Sequence, residues 1–276
     1  MGTPDSMQDL FSFLTDLMTT HAALFETLGQ NLFRGFAVIL VVWFGVKMAL
    51  SSASGHQAGF HFERFVSLLF TIAFGFAMIT YYSQPIPGFG TSFYRLITDQ
   101  GTNLAKQLDL ATIQEVKQRL DSIYVSLESP TALLASVFEI VHFLILVVAI
   151  ILAEAAAYGV IAFGYIAMAI TVLVGPVFVP FFIVPQLEWL FWNWFKALIQ
   201  YAFYPVIAHA YIFVMGSLLN HFIDSHPPPY DGAAMALVFV PLVFLLFAFT
   251  YGIVKIPSLV SSIFSGRAGE SVNVRF

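Results

Sequence analysis

Cysteine is absent from this 276-residue sequence, and charged residues make up only 10% of it. Without cysteine the chain can form no disulfide and offers no thiolate metal ligand or thiol nucleophile. The charged fraction is far below the roughly 25% that is usual in soluble domains, whereas hydrophobic residues account for 59%. The composition therefore predicts an integral membrane protein, in which membrane-spanning helices take the place of a soluble core.

The sequence also lacks a glycine-rich phosphate loop, a nucleophile elbow and the H-E-x-x-H motif of metalloproteases. We therefore expect no enzymatic activity, no cofactor and no intrinsic use of ATP. Any energy would then come from a partner or from a gradient. The net charge of −5, with no long basic run, disfavours bulk binding of nucleic acid by a surface patch.

Long apolar runs are the most abundant feature of the chain. A transmembrane helix needs about 20 apolar residues to cross the hydrocarbon core. Segments of about this length lie at 33–50, 64–82, 131–153, 156–174, 197–220 and 234–255. We predict an all-α, polytopic membrane protein with five to six transmembrane helices, an N-terminal amphipathic helix and a helical periplasmic loop.

The distribution of lysine and arginine predicts the orientation in the membrane. Residues 1–32 contain neither, whereas the loop 51–63 is flanked by Lys47 and Arg64. Cytoplasmic loops carry the excess of basic residues. We therefore expect a periplasmic N-terminus in a bacterial inner membrane, a cytoplasmic loop 51–63 and a periplasmic segment 83–130.

By these criteria the chain has five parts. They are the amphipathic helix 1–32, a two-helix membrane segment 33–82, the periplasmic helical loop 83–130, a main membrane domain 131–255 with a proline-broken segment 175–196, and a tail 256–276. Six crossings would leave the tail in the periplasm, although its basic residues favour the cytoplasm. Either one apolar segment enters and returns without crossing, or the tail is translocated despite its charge.

The periplasmic loop contains a candidate docking helix. Thr112 and Glu115 have the spacing of a capping box, and apolar residues then recur at intervals of three and four. These residues are Ile113, Val116, Leu120, Ile123 and Leu127. Such an apolar stripe must be covered, either within the monomer or by a periplasmic partner, and the spacing favours neither.

A proline-rich segment interrupts the apolar sequence in the main membrane domain. In "GPVFVPFFIVP", Gly175 and Pro176 are expected to end a helix, since proline lacks the amide hydrogen, and Pro180 and Pro185 repeat the interruption. Irregular backbone at membrane depth requires protein or water around it. We therefore expect this segment among helices or subunits or beside a cavity, as a subunit-interface or pore-side feature, and we group Pro205 with it.

An aromatic segment follows, "QLEWLFWNWFKALIQ". Trp189, Trp192, Trp194 and Lys196 give it the composition of a helix at the level of the lipid headgroups. An ordinary aromatic belt explains the tryptophans alone equally well. Combined with the prolines, they predict an interfacial helix that leads into the next span.

Three ionisable residues in the apolar segments are candidate functional groups, because such residues are costly in a membrane. Glu139 and His142 are three residues apart, which supplies half of a carboxylate-bridged di-metal site, but the sequence has no second pair of this kind. His209 is isolated in the fifth segment. Hydrogen bonds to neighbouring helices are the commoner role for all three, and we expect no metal.

From residue 150 to residue 266 the chain resembles the polytopic inner-membrane subunits of type IV secretion and conjugation machines, the TrbL and VirB-six group. The resemblance rests on the Gly-Pro break at 175–176, the second apolar run that ends at Pro185, the aromatic helix that leads into "LIQYAFYPVI", and the tail "VKIPSLVSSIFSG". The N-terminal half is similar in layout.

This resemblance implies a homo-oligomeric platform in the inner membrane, between cytoplasmic ATPases and periplasmic stalk or pilus proteins. It also implies a part in the transfer of DNA or protein and in pilus assembly, in contact with the lipid bilayer and in transient contact with the transferred DNA or protein. Two other interpretations stay open. A secondary transporter or ion channel would also use broken helices, and a membrane metalloenzyme would use Glu139, His142 and His209.

Overall fold

The computed structural model describes residues 4–53, 62–101, 103–104, 118, 137–226 and 232–265. Within these residues every regular element is a helix, which confirms the all-α prediction. The α-helices are α1 (Pro4–Ala53), α2 (Phe62–Thr80), α3 (Val137–Phe178), α4 (Glu188–Ser225), α5 (Gly232–Val254) and α6 (Ile256–Ser265), and a 3₁₀ helix (Val179–Ile183) lies between α3 and α4.

The membrane-spanning character of these helices is also confirmed. In the described residues, four helical stretches are long and apolar enough to cross a bilayer: Ala22–Leu50, Phe62–Thr80, Leu144–Ile183 and Glu188–Ser225. The pair Val238–Val254 and Ile256–Phe264, bent by 43°, makes a fifth if it forms one span. Exposed apolar side chains, such as Trp43 and Phe244, provide a surface suited to lipid.

Several segments that the sequence predicts separately lie on one continuous helix. Helix α1 includes both the N-terminal helix and the first span, and α3 runs through both 131–153 and 156–174 from its start at Val137. The residues between the latter two segments, "AEAAAYG", are rich in alanine, which has the highest helix propensity. A helix therefore continues where hydropathy alone suggested a loop.

The chain divides into two compact units. The first unit comprises Met1–Gln100 and Tyr165–Ala202, and the second comprises Gly101–Gly164 and Phe203–Phe276. Both α3 and α4 thus contribute one part to each unit. Each unit has a hydrophobic core of its own, and the buried members in the first are Phe33, Met78, Ile79, Tyr82, Val172, Val179, Ile183, Phe191, Trp194 and Leu198.

The core of the second unit joins the N-terminal part of α3, the C-terminal part of α4 and α5. Its buried members are Leu146, Ala149, Ala153, Leu219, Ile223, Phe239, Leu242 and Leu246. Near the bend between α5 and α6, the Tyr211 hydroxyl lies 3.2 Å from the carbonyl oxygen of Ala248 and 3.1 Å from that of Phe249. An aromatic hydroxyl therefore links α4 to α5 through the backbone.

Candidate functional site

The proline segment, which we define here as residues 175–187, reverses the chain between α3 and α4. Helix α3 runs through Pro176 and ends at Phe178, and the 3₁₀ helix that follows contains Pro180. Val184 is extended, with φ −101° and ψ 105°, and a turn at 185–187 leads into α4. The predicted helix end at Gly175 and Pro176 is therefore wrong by a few residues.

Tyr82 explains why the helix continues past Pro176. In an α-helix the carbonyl of Val172 accepts a bond from the amide four residues later, and that position is Pro176, which has no N–H. The Tyr82 hydroxyl donates to the Val172 carbonyl oxygen instead, at 2.6 Å, and this bond is buried. A side chain from just beyond α2 thus supplies the hydrogen bond that the proline removes.

Trp194 makes a second bond of this kind at the neighbouring carbonyl. Its indole Nε1 donates to the carbonyl oxygen of Thr171 at 2.9 Å. The rings of Tyr82 and Trp194 lie side by side, with centroids 6.2 Å apart. We call these two side chains the carbonyl clamp, because together they join the end of α2 and the start of α4 to the same turn of α3.

Gly175 permits the clamp to close. A Cβ atom at this position would collide with the Tyr82 hydroxyl and would lie 2.5 Å from Cζ2 of Trp194. Real Cβ atoms do not approach other heavy atoms so closely, so that any larger residue would push both aromatic rings away. The absence of a side chain at Gly175 is therefore required for the close approach of the clamp.

Two further glycines bring α1 and α2 onto the proline segment. A Cβ at Gly29 would overlap the carbonyl oxygen of Pro176, and this is the carbonyl whose helical donor would be the missing amide of Pro180. A Cβ at Gly75 would lie 2.7 Å from Cγ2 of Ile183. Both contacts require glycine on the helix that faces the segment.

The proline segment is consequently buried among helices of its own chain. Gly175, Pro176 and Pro180 are buried, whereas Pro185 is exposed in the turn. From the sequence, helices, subunits or a cavity could surround this segment. For the three buried residues, the structure shows neighbours from α1, α2 and α4. Pro205 lies within α4 and belongs to the second unit.

The Tyr82 side chain of the carbonyl clamp is a neutral phenol. Burial, and to a smaller extent the nearby Tyr94 and Glu26, raises the pKa of Tyr82 well above its usual value. The hydroxyl therefore keeps its proton, and remains a hydrogen-bond donor, at any physiological pH. The Val172 carbonyl thus keeps this donor at physiological pH.

The four residues of the predicted interfacial group have different environments. Trp189 and Trp192 are exposed by 57% and 48%, whereas Trp194 is only 5% exposed. Trp192 Nε1 donates to Glu188 Oε1 at 2.6 Å on the exposed face, and Lys196 is exposed as well. Trp194 serves the core, and a position at the lipid headgroups stays a prediction for the other three.

Of the remaining candidates, only His209 has a described side chain. His209 is buried in α4, with its Nδ1 atom 2.6 Å from the carbonyl oxygen of Pro205. Glu139 and His142 lie on α3, but their side chains are outside the described part. The docking stripe also lies outside it, with the members Ile113, Val116, Leu120, Ile123 and Leu127. Among the described residues, no three His, Asp or Glu side chains form a metal-binding group.

Tyr82, Gly29 and Gly75 belong to the site although the sequence did not predict them. Each is an ordinary residue in or next to an apolar span, and no motif surrounds it. The one available signal was chemical, since a buried proline leaves a carbonyl that needs a donor. Pro176 thus predicted that some donor exists without indicating which residue supplies it.

The fold and the site together define a polytopic, helical membrane protein whose best-defined polar contacts hold its helices together. A family model described as TrbL/VirB6 plasmid conjugal transfer protein matches residues 37–253, which is most of the chain. The chain therefore belongs to the TrbL/VirB6 family, a family of conjugation and type IV secretion systems. No curated protein gave a match.

Proposed function

We propose that this protein is an inner-membrane platform or channel subunit of a type IV secretion system. It assembles as a homo-oligomer and takes part in the translocation of DNA or protein and in pilus assembly. The observation that carries this proposal is the family match over residues 37–253. The matched region includes the proline segment, the carbonyl clamp and residues of both compact units.

The chemistry of the clamp supports a non-enzymatic role. The hydroxyl of Tyr82 and the indole of Trp194 both donate hydrogen bonds to backbone carbonyls of α3. Both side chains thus hold helices together. In the first unit, parts of α1, α2, α3 and α4 share one core. Such a shared core is suited to a protein that supports the assembly of other subunits.

Arg34 supports the homo-oligomer. It lies within the span Ala22–Leu50, and its side chain is exposed. A cation within a span is costly in lipid and usually faces protein or a water-filled space. A second copy of the chain, placed against this face of α1, would supply such surroundings.

The orientation is part of the proposal. The N-terminus and the loop 83–130 face the periplasm, where the loop docks on stalk or pilus proteins. The loop that carries Lys47 and Arg64 at its flanks faces the cytoplasm and the secretion ATPases. The positive-inside rule supports this arrangement.

Affinity purification from gently solubilised membranes tests the proposal. We expect the tagged protein to bring down secretion ATPases and periplasmic stalk or pilus components, identified by mass spectrometry. The control is a tagged, unrelated polytopic membrane protein at the same expression level. A lone protein that moves ions or solutes across vesicle membranes, with full plasmid transfer in its absence, would contradict the proposal.

A further inference from the structure

A groove of about 530 Å³ lies in the first unit between α1 and α2, where it also meets the 3₁₀ helix and the turn after it. Its volume is within the range of sites that bind small molecules, about 300–1,000 Å³. Phe44 on α1, Leu68 on α2 and Ile183 on the 3₁₀ helix line its apolar wall. The groove is only partly enclosed, which leaves room for a long molecule to enter.

The lining of the groove changes from charged to apolar along its length. Lys47, Glu63 and Arg64 form one end of the groove. Leu40 lies seven residues before Lys47 on α1, and Thr71 lies seven residues after Arg64 on α2. At 1.5 Å per residue this separation is about 10 Å. The groove therefore has a charged end followed by an uncharged, largely apolar part that also contains Ser67 and Thr71. This order of polarity matches that of a lipid.

The charged end lies at the expected level of the lipid headgroups. Lys47 is close to the end of the span Ala22–Leu50, and Arg64 is close to the start of Phe62–Thr80. Both side chains are exposed, as is that of Glu63. Two cations and one carboxylate leave a charge of +1 at this end of the groove.

We propose that the groove binds one anionic phospholipid of the phosphatidylglycerol type. Its phosphate lies between Lys47 and Arg64, and one acyl chain follows the wall formed by Phe44, Leu68 and Ile183. The single negative charge of this lipid complements the +1 charge of the groove end. The carboxylate of Glu63 accepts hydrogen bonds from the glycerol hydroxyls of the headgroup. A zwitterionic phosphatidylcholine has neither the net charge nor these donors.

The bound lipid would contact the proline segment as well as the two spans. Ile183 packs against Gly75, and Pro185 also lines the groove. An acyl chain in the groove thus adds apolar contacts to α1, α2 and the 3₁₀ helix at the same time. Anionic lipid should therefore raise the thermal stability of the protein, because it binds the folded state.

The binding test uses the full-length protein in detergent and native mass spectrometry, with phosphatidylglycerol, phosphatidylethanolamine and phosphatidylcholine of identical acyl chains. We expect one phosphatidylglycerol to bind in preference to the other two. Since one basic residue near a membrane surface contributes about fivefold to the binding of anionic lipid, Lys47→Gln/Arg64→Gln should weaken this binding by about tenfold or more. The control Lys196→Gln/Lys255→Gln removes the same charge from side chains that do not line the groove and should leave binding unchanged.

The apolar part of the groove is tested by a matched pair on α2. Leu68 lines the groove, whereas its neighbour Leu69 is 45% exposed and does not. We expect Leu68→Trp to fill the groove and abolish the thermal stabilisation by phosphatidylglycerol, and Leu69→Trp to retain it. The thermal midpoint without added lipid reports whether each variant folds.

Three results would overturn the proposal. The first is equal binding of the three lipids by the wild-type protein, which indicates ordinary lipid coating. The second is unchanged phosphatidylglycerol binding in both the charge variant and Leu68→Trp. The third is that a second copy of the chain covers the groove while no lipid is bound. Cross-linking at Leu68 would then be lost when the protein forms oligomers.

Discussion

At the level of single residues, a proline within a buried helix leaves a carbonyl without its usual donor. Pro176 does this to Val172, and the Tyr82 hydroxyl supplies the replacement bond at 2.6 Å. A buried carbonyl without a partner costs free energy comparable to a lost hydrogen bond. The pairing of Pro176 with Tyr82 is therefore a requirement of the fold and depends on two distant parts of the sequence.

Replacement of Tyr82 by phenylalanine tests this requirement. Tyr82→Phe keeps the ring but removes the donor, so the free energy of unfolding should fall by about 1–3 kcal/mol. Thermal and denaturant unfolding in detergent measure the change. Tyr94→Phe is the control, since the Tyr94 hydroxyl accepts an exposed hydrogen bond from Arg95 Nε. We expect Tyr94→Phe to lower the free energy of unfolding by about 0.5 kcal/mol or less. Equal effects of the two substitutions would argue against the replacement bond.

Replacement by alanine is expected to have opposite effects on stability at two glycines of α3. A Cβ at Gly175 would collide with Tyr82, whereas nothing lies within 4 Å of a Cβ at Gly159. Gly175→Ala should lower the free energy of unfolding by about 1–3 kcal/mol through overpacking. Gly159→Ala should raise it by as much as about 1 kcal/mol, because alanine has the higher helix propensity. Similar changes in thermal midpoint for both variants would refute the close approach at Gly175.

At the level of elements, the proline segment ends one long helix and begins another. The two prolines act differently, since Pro176 lies within α3 and Pro180 lies in the 3₁₀ helix that follows. The Val172 carbonyl that Pro176 deprives of its donor accepts a hydrogen bond from Tyr82, which lies after α2. Gly29 of α1 packs closely against the carbonyl oxygen of Pro176. The segment is thus shaped by its neighbours as much as by its own sequence.

Removal of both prolines should release the segment from its neighbours. Pro176→Ala/Pro180→Ala restores two amide donors, which favours continuation of α3 as a regular helix and displaces Ile183 from Gly75. We expect a lower thermal midpoint, altered oligomer size and reduced plasmid transfer. Pro241→Ala is the control, because Pro241 is exposed within α5. Unaltered oligomer size together with full transfer would show that the prolines are incidental to function.

At the level of the whole molecule, we propose that the apolar stripe predicted in the loop 83–130 docks on a periplasmic partner. Leu120→Asp would place a charge in the middle of this stripe and should block co-purification of the periplasmic partner, while the protein still inserts into the membrane. Gln118→Asp is the matched control, since Gln118 is exposed and lies outside the stripe. Normal recovery of the partner with Leu120→Asp would assign the stripe to packing within the monomer.

The membrane fold could be predicted from composition and hydropathy, because long apolar helices are a local property of the chain. The candidate site could be predicted only in part. Pro176 and Pro180 are recognisable in the sequence, but the sequence contains no sign that Trp194 is a core residue while Trp189 is exposed. Aromatic residues suit both a core and a headgroup layer, so their composition does not distinguish the two positions.

The all-helical membrane class and the location of the proline segment follow from the amino-acid sequence, since each depends on residues that are near one another in the chain, and the family follows from the pattern of residues 37–253. Which helices are continuous, and which side chains complete the backbone at Pro176, depends on the tertiary fold. The reason is that a freed carbonyl can be satisfied by any donor within about 3 Å. Tyr82 is ninety residues from Val172 along the chain, and only folding brings the two together.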